Sequence, residues 1–79
     1  MQYQVNLWPS DRTMKAVIVR AIEASSPVAA LSQAMQQQGR NMVNRALIIP
    51  ADSPRGTMRG WVWRYRCRLL PDGRLVEVL

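Results

Sequence analysis

Arg64, Arg66 and Arg68 are spaced two apart inside the segment Trp61-Val62-Trp63-Arg64-Tyr65-Arg66-Cys67-Arg68-Leu69-Leu70. A strand sends alternate side chains to opposite faces. This spacing therefore predicts three guanidiniums on one face, with Trp61, Trp63, Tyr65, Cys67 and Leu69 on the other. Like charges along one face repel, so such a ladder is expected to meet water or an anionic partner. A guanidinium is a planar, permanently charged fork that holds phosphate or carboxylate through two parallel hydrogen bonds. The chemistry on offer is anion recognition rather than bond making. Arg55 and Arg59 in the preceding loop, and Arg74 in the turn that follows, complete the set of candidate partner-binding or nucleic-acid-binding residues. A charged strand face also discourages edge-to-edge aggregation, so the ladder has a purely structural reading as well.

Other chemistries lack their parts. The chain has no histidine, which removes the commonest general base and metal ligand. The acids Asp11, Glu23, Asp52, Asp72 and Glu77 are scattered. No phosphate-binding loop, dinucleotide glycine pattern or zinc spacing is present, and Gly56-Thr57-Met58-Arg59-Gly60 is too generic to stand for one. No catalytic residue, cofactor, metal or small-molecule substrate is assigned, and no enzyme is expected. Arg66 and Arg68 flank Cys67 and could activate its thiol. Alternation aims that sulfur at the core, so a buried inert thiol is expected. The aromatic face could stack bases, but a chain without Phe needs large apolar groups inside. Trp63 and Tyr65 are accordingly read as core, and Trp8 and Trp61, near strand ends, as surface aromatics.

Composition sets the frame. Residues 1–79 are read as one domain, and a chain of 79 residues buries only roughly 60% of its unfolded surface. A hydrophobic fraction of 48% is that of a globular fold. The net charge of +6 favours nucleic acid, an acidic protein face or a membrane surface as partner. Lys15 is the lone lysine among 11 basic residues. GC-rich coding also produces that ratio, though it does not explain the clustering. One cysteine precludes an internal disulfide. The opening Met1-Gln2-Tyr3-Gln4-Val5-Asn6 lacks a basic region followed by an apolar one, and Ala46-Leu47-Ile48-Ile49 is far too short to span a bilayer. A soluble cytoplasmic protein, without a membrane partner, is expected.

The elements that must position the ladder follow from periodicity. Tyr3, Val5 and Leu7 alternate with Gln2, Gln4, Asn6 and Trp8, predicting a half-buried strand ended by Pro9-Ser10-Asp11. A second strand is predicted from Thr13 to Ala24, and its run Ala16-Val17-Ile18-Val19 suggests a central position. Ser26 and Pro27 are a helix start, as cap and first helical residue. Val28, Leu31, Ala34, Met35 and Gln38 form one stripe, and Gly39 is placed to end the helix. Arg45 to Pro50 predicts a third strand, Ala51 to Gly60 a loop, then the aromatic–arginine strand, the turn Pro71-Asp72-Gly73-Arg74 and a last strand, Leu75 to Leu79.

The final hairpin admits two registers. A three-residue loop sets Cys67 opposite Glu77, with a carboxylate on the aromatic face. A four-residue loop sets Leu70 opposite Leu75, Leu69 opposite Val76, Arg68 opposite Glu77 and Cys67 opposite Val78. The second keeps the core apolar and gives Arg68 an ion pair, and is preferred. The fold class expected is α+β: an antiparallel sheet of about five strands, in chain order β-β-α-β-β-β, packed on or curled around one helix.

The junction Ile22-Glu23-Ala24-Ser25-Ser26-Pro27-Val28-Ala29-Ala30, continuing to Ala34, resembles one in small phage-encoded proteins, among them an anti-CRISPR group that inhibits type I CRISPR surveillance complexes. That group's Ile-Glu-Ala-x-Ser pattern is similar to Ile22, Glu23, Ala24 and Ser26. The group's later aromatic strand followed by Asp-Gly-basic resembles Trp61 to Tyr65 with Asp72-Gly73-Arg74. The resemblance implies a sheet wrapping one helix, and a non-enzymatic inhibitor docked on a Cascade-like complex of protein and crRNA. It implies no particular binding residue. On this expectation the Arg face blocks or misdirects the complex's DNA binding. A stand-alone DNA- or RNA-binding protein is the alternative, and a small phage structural or assembly subunit is a third reading.

Overall fold

The structure, a computed structural model, describes residues 1–10, 15–52, 60–63 and 66–78. Strand β1 (Gln2–Trp8) buries Tyr3, Val5 and Leu7 and leaves Gln4, Asn6 and Trp8 half-buried on its other face, as its alternation requires. It pairs antiparallel with β2 (Val17–Glu23) on one side and with β4 (Arg45–Pro50) on the other. β4 also pairs with β5 (Trp61–Trp63), so the four-stranded sheet runs β2-β1-β4-β5. Between β2 and β4 come the helix α1 (Pro27–Gln37) and the two-residue strand β3 (Met42–Val43). β3, β6 (Cys67–Leu69) and β7 (Leu75–Glu77) make a three-stranded antiparallel sheet in the order β3-β6-β7.

The architecture is α+β with one helix and antiparallel sheets among the described residues. The single sheet of five strands expected from the sequence is divided in two, and the reason lies in counting. Ala46 pairs with Trp63, and Val43 pairs with Cys67. Two residues separate the first members of these pairs and three separate the second, and the ladder is interrupted between them. On the shorter side Asn44 bends the chain, with its N–H donating to the Trp8 carbonyl at 2.9 Å. Val43 and Ala46 are consequently both buried although they stand three apart.

A second irregularity corrects the reading of β2. Among the described strands it lies at the edge of its sheet, not at the centre. Ile18 is 49% exposed, and only Val19 and Ile22 of the strand are buried. These two also stand three apart. The register with β1 slips between Tyr3 and Val5, leaving Arg20 and Ala21 opposite Gln4, and Ala21 takes a φ of 59°. The bulge turns both apolar side chains inward, at the cost of a left-handed conformation in a residue with a Cβ.

The helix begins as its sequence requires. Ser26 caps it, Oγ accepting from the Ala29 N–H at 3.1 Å, and Pro27 follows. Gly39, at φ 64°, ends it. The Gly39 N–H donates to Gln36 and the Arg40 N–H to Met35, the paired bonds of a Schellman turn. The buried face is Ala30, Leu31, Ser32, Ala34 and Met35, rotated from the expected stripe, for Val28 and Gln38 are exposed. α1 lies against β1, β2 and β4, burying Leu31 and Met35 against Val5, Leu7 and Ile48 in one core. Each such side chain contributes about 1.5–3 kcal/mol. The small sheet adds Val43 and Cys67 to that core, and the Ser32 hydroxyl ties the helix to the β6–β7 turn by donating to the Gly73 carbonyl at 2.8 Å.

Among the described residues no helix is long and apolar enough to cross a membrane. Two substitutions test the backbone account. Ala21→Gly removes the left-handed strain at an exposed position, so it is expected to raise stability by about 1 kcal/mol and Tm by about 4–8 °C. A Cβ on Gly60 would lie 2.5 Å from the Ile48 carbonyl oxygen. Gly60→Ala is therefore expected to lower stability by about 1–3 kcal/mol in urea unfolding, by forcing β5 away from β4.

Candidate anion-binding face

The chain entering β6 alternates as the sequence predicted: Arg66, just before the strand, is exposed, Cys67 fully buried and Arg68 exposed. Cys67 is drawn in by its pairing with buried Val43, and that fixes the two arginines on the opposite side. Arg68 lies between Met42 on β3 and Val76 on β7. The Arg66 Nε donates to the Asn44 Oδ1 at 3.1 Å, so the residue that bends the ribbon also orients this guanidinium.

The hairpin register is the one the sequence reasoning set aside. Leu69 pairs with Leu75, Arg68 with Val76 and Cys67 with Glu77. The loop is Pro71-Asp72-Gly73, closed by the Gly73 N–H donating to Leu70 and the Leu70 N–H donating to Arg74, with Gly73 at φ 89°. A three-residue loop ending in a left-handed glycine is a favoured hairpin, and the Asp-Gly pair supplies its chemistry. The penalty expected for a carboxylate on the inner face does not arise. β7 is the edge strand, and Glu77 sits at its end, exposed to water. The expected Arg68–Glu77 pair is therefore not formed, and Arg68 faces an exposed apolar residue instead.

Arg74 arrives on the adjoining strand, two residues before Val76. Its Nε is 2.6 Å from the Asp72 Oδ2. The Arg74 N–H also donates to Asp72, and these contacts hold the Asp72 carboxyl below the usual carboxylate range, the backbone hydrogen bond being the largest cause. The pair is exposed and so adds little to stability, but it occupies Arg74 in a way that Arg68 is not occupied. The structure thus brings Arg66, Arg68 and Arg74 to one small sheet. Arg55, Arg59 and Arg64 lie outside the described residues, as do Tyr65 and the side chains of Trp61 and Trp63.

The Schellman turn brings a further cation, Arg40, close to this sheet. Arg40 follows Gly39, and Asn41 accepts from the Leu69 N–H through its carbonyl at 2.8 Å, so exposed Arg40 stands one residue from the tie between helix and β6. Gly39 was the available signal, because a helix ended by a left-handed glycine reverses its chain. The remaining aromatic, Trp8, is half-buried, with the Arg45 guanidinium 4.6 Å from its ring centre on the other sheet.

No protein-family model matches the chain, and neither a curated protein nor a solved structure matches it. The site must therefore be read from its own chemistry. Among the described residues no three acidic or cysteine side chains gather to hold a metal. What the face offers is fixed positive charge beside apolar and amide groups.

Burial pushes the Cys67 thiol above its ordinary value of about 9.0, with a backbone hydrogen bond to Val43 opposing. A raised folded-state pKa means that stability is full below the unfolded thiol's pKa and is lost as pH rises toward the folded one. Urea unfolding from pH 8 to 10.5 is expected to show this decline in the wild type and less of it in Cys67→Ala. A thiol reagent should label native Cys67 far more slowly than the unfolded chain.

Proposed function

We propose that this protein is a non-enzymatic binding protein that uses the outer face of its small sheet to engage the phosphate-bearing surface of a host nucleoprotein. The observation that carries the reading is the pairing on β6. One buried residue, Cys67, holds Arg66 and Arg68 outward, and the register leaves Arg68 opposite Val76 rather than a carboxylate. Arginine is the side chain suited to phosphate, being planar, bidentate and weakly hydrated. A net charge of +6 adds long-range attraction to such a surface.

The resemblance of the Ile22–Ala34 junction points to a particular nucleoprotein, a type I CRISPR complex of protein and crRNA. Binding there would block or misdirect the complex's access to DNA. Arg66 and Arg68 supply the contact and Arg40 its flank. Arg74, tied to Asp72, contributes less. Arg55, Arg59 and Arg64 belong to the same proposal by sequence proximity.

The test is a double charge reversal, Arg66→Glu with Arg68→Glu. Both side chains are exposed, so the variant is expected to keep the wild-type circular dichroism and Tm. Retention on an immobilised Cascade-like complex should fall by at least about a hundredfold, each reversed phosphate contact costing about 1.5–3 kcal/mol. A folded variant that is retained as well as the wild type removes the Arg face from the account. Reversal of Arg74 alone should cost much less.

A further inference from the structure

We infer that the groove beside Arg68 accepts one unstacked nucleobase, so that the nucleic acid this face recognises is single-stranded. The inference rests on the phosphate-directed reading of Arg66 and Arg68 given above, and adds to it the form of the ligand. The groove, about 790 Å³, lies where the end of α1 meets the small sheet, and its walls include Gln36, Asn41, Met42, Arg68, Leu70 and Pro71.

These walls divide by chemistry. Met42, Leu70 and Pro71 give an apolar surface against which the flat face of a base can pack. Gln36 and Asn41 give amides for its edge. The Gln36 Nε2 already donates to the Ser32 Oγ at 3.2 Å, which leaves the Oε1 as an acceptor for an exocyclic amine. The Asn41 backbone carbonyl is taken by Leu69, while its side chain is exposed and free to donate and accept. Arg68 stands on the wall as the only charged group among these residues, placed for the phosphate next to the bound base.

The helix decides which part of a nucleotide enters. Gln36 is in the last turn of α1, where backbone carbonyls concentrate partial negative charge. A phosphate seated there would be repelled, whereas a base presenting N–H donors would be favoured. The phosphates then lie along Arg68 and Arg66. A duplex keeps its bases stacked and can offer this site only its backbone, so it cannot fill the groove.

The experiment compares a labelled mixed-sequence single strand, as DNA and as RNA, with the duplex of the same sequence. The full chain is titrated into each at one moderate salt concentration. The single strands are expected to bind about tenfold more tightly than the duplex, and 2-aminopurine placed within the strand should change its emission on binding. Asn41→Ala and Leu70→Ser should bring the two affinities together and abolish the emission change, with an unaltered salt dependence. Arg66→Glu with Arg68→Glu should weaken both ligands. Equal affinity for single strand and duplex, unmoved by Asn41→Ala and Leu70→Ser, overturns the inference and leaves the phosphate-directed face standing if the double reversal still weakens binding. Absence of nucleic-acid binding overturns it too, and retention on the nucleoprotein complex then decides separately whether the Arg face is addressed to protein. Retention and binding that ignore Arg66 and Arg68 overturn both.

Discussion

The structure depends on one mismatch of length. Met42–Val43 pairs antiparallel with Cys67–Arg68 and Ala46–Ile48 with Trp61–Trp63, but one arm of this ribbon carries one residue more than the other between the pairs Val43–Cys67 and Ala46–Trp63. A ladder with period two takes up an odd residue either as a bulge, as β2 does at Arg20 and Ala21, or as a break, as here. The break divides the strands into two sheets. One part of the ribbon stays with β1 against the helix. The other turns to join the Asp72-Gly73 hairpin and brings Val43 and Cys67 into the same core.

The placement of the Arg face follows from that division. Had the ribbon run straight, the arginine ladder would have been the outer face of one sheet. Instead Arg66 and Arg68 belong to a small sheet of their own, which meets the C-terminal end of the helix through the Asn41–Leu69 bond and the helix flank through the Ser32–Gly73 bond. Asn44 serves the joint twice, through its backbone to Trp8 and its side chain to Arg66. The bend that shapes the core thereby also orients a guanidinium. The groove exists because the helix ends, by way of Gly39, beside the strand that carries Arg68. Fixed charge, amides and an apolar wall meet there.

Much of this was legible in the sequence where one local rule acts alone. β1 follows from strict alternation, β4 from its apolar run, and the helix ends from Ser26, Pro27 and Gly39, because caps and terminators act within a few residues. The outward arginines of β6 were legible for the same reason. What failed depended on partners remote in sequence. β2 looked central from its apolar run, but among the described residues β1 alone pairs with it, and a bulge at Ala21 that no propensity signals changes which side chains face in. The hairpin register was misjudged because it was argued from the inner face of two strands alone. The edge position of β7, which lets Glu77 reach water, is a property of the whole sheet. The helix stripe was rotated because Ser32, polar by type, is 7% exposed and earns its burial through a hydrogen bond to Gly73, forty-one residues away. The division into two sheets needed the register of both arms at once.

The most direct test of this account is the register of β6 against β7, because it decides whether Arg68 is left for a partner or neutralised within the chain. Nuclear Overhauser contacts between Hα protons of an isotopically labelled sample read it directly. The account predicts contacts between Cys67 and Glu77 and between Leu69 and Leu75. Contacts linking Cys67 with Val78 or Arg68 with Glu77 would contradict it, since that register pairs Arg68 with a carboxylate and removes the charge on which the proposed face depends.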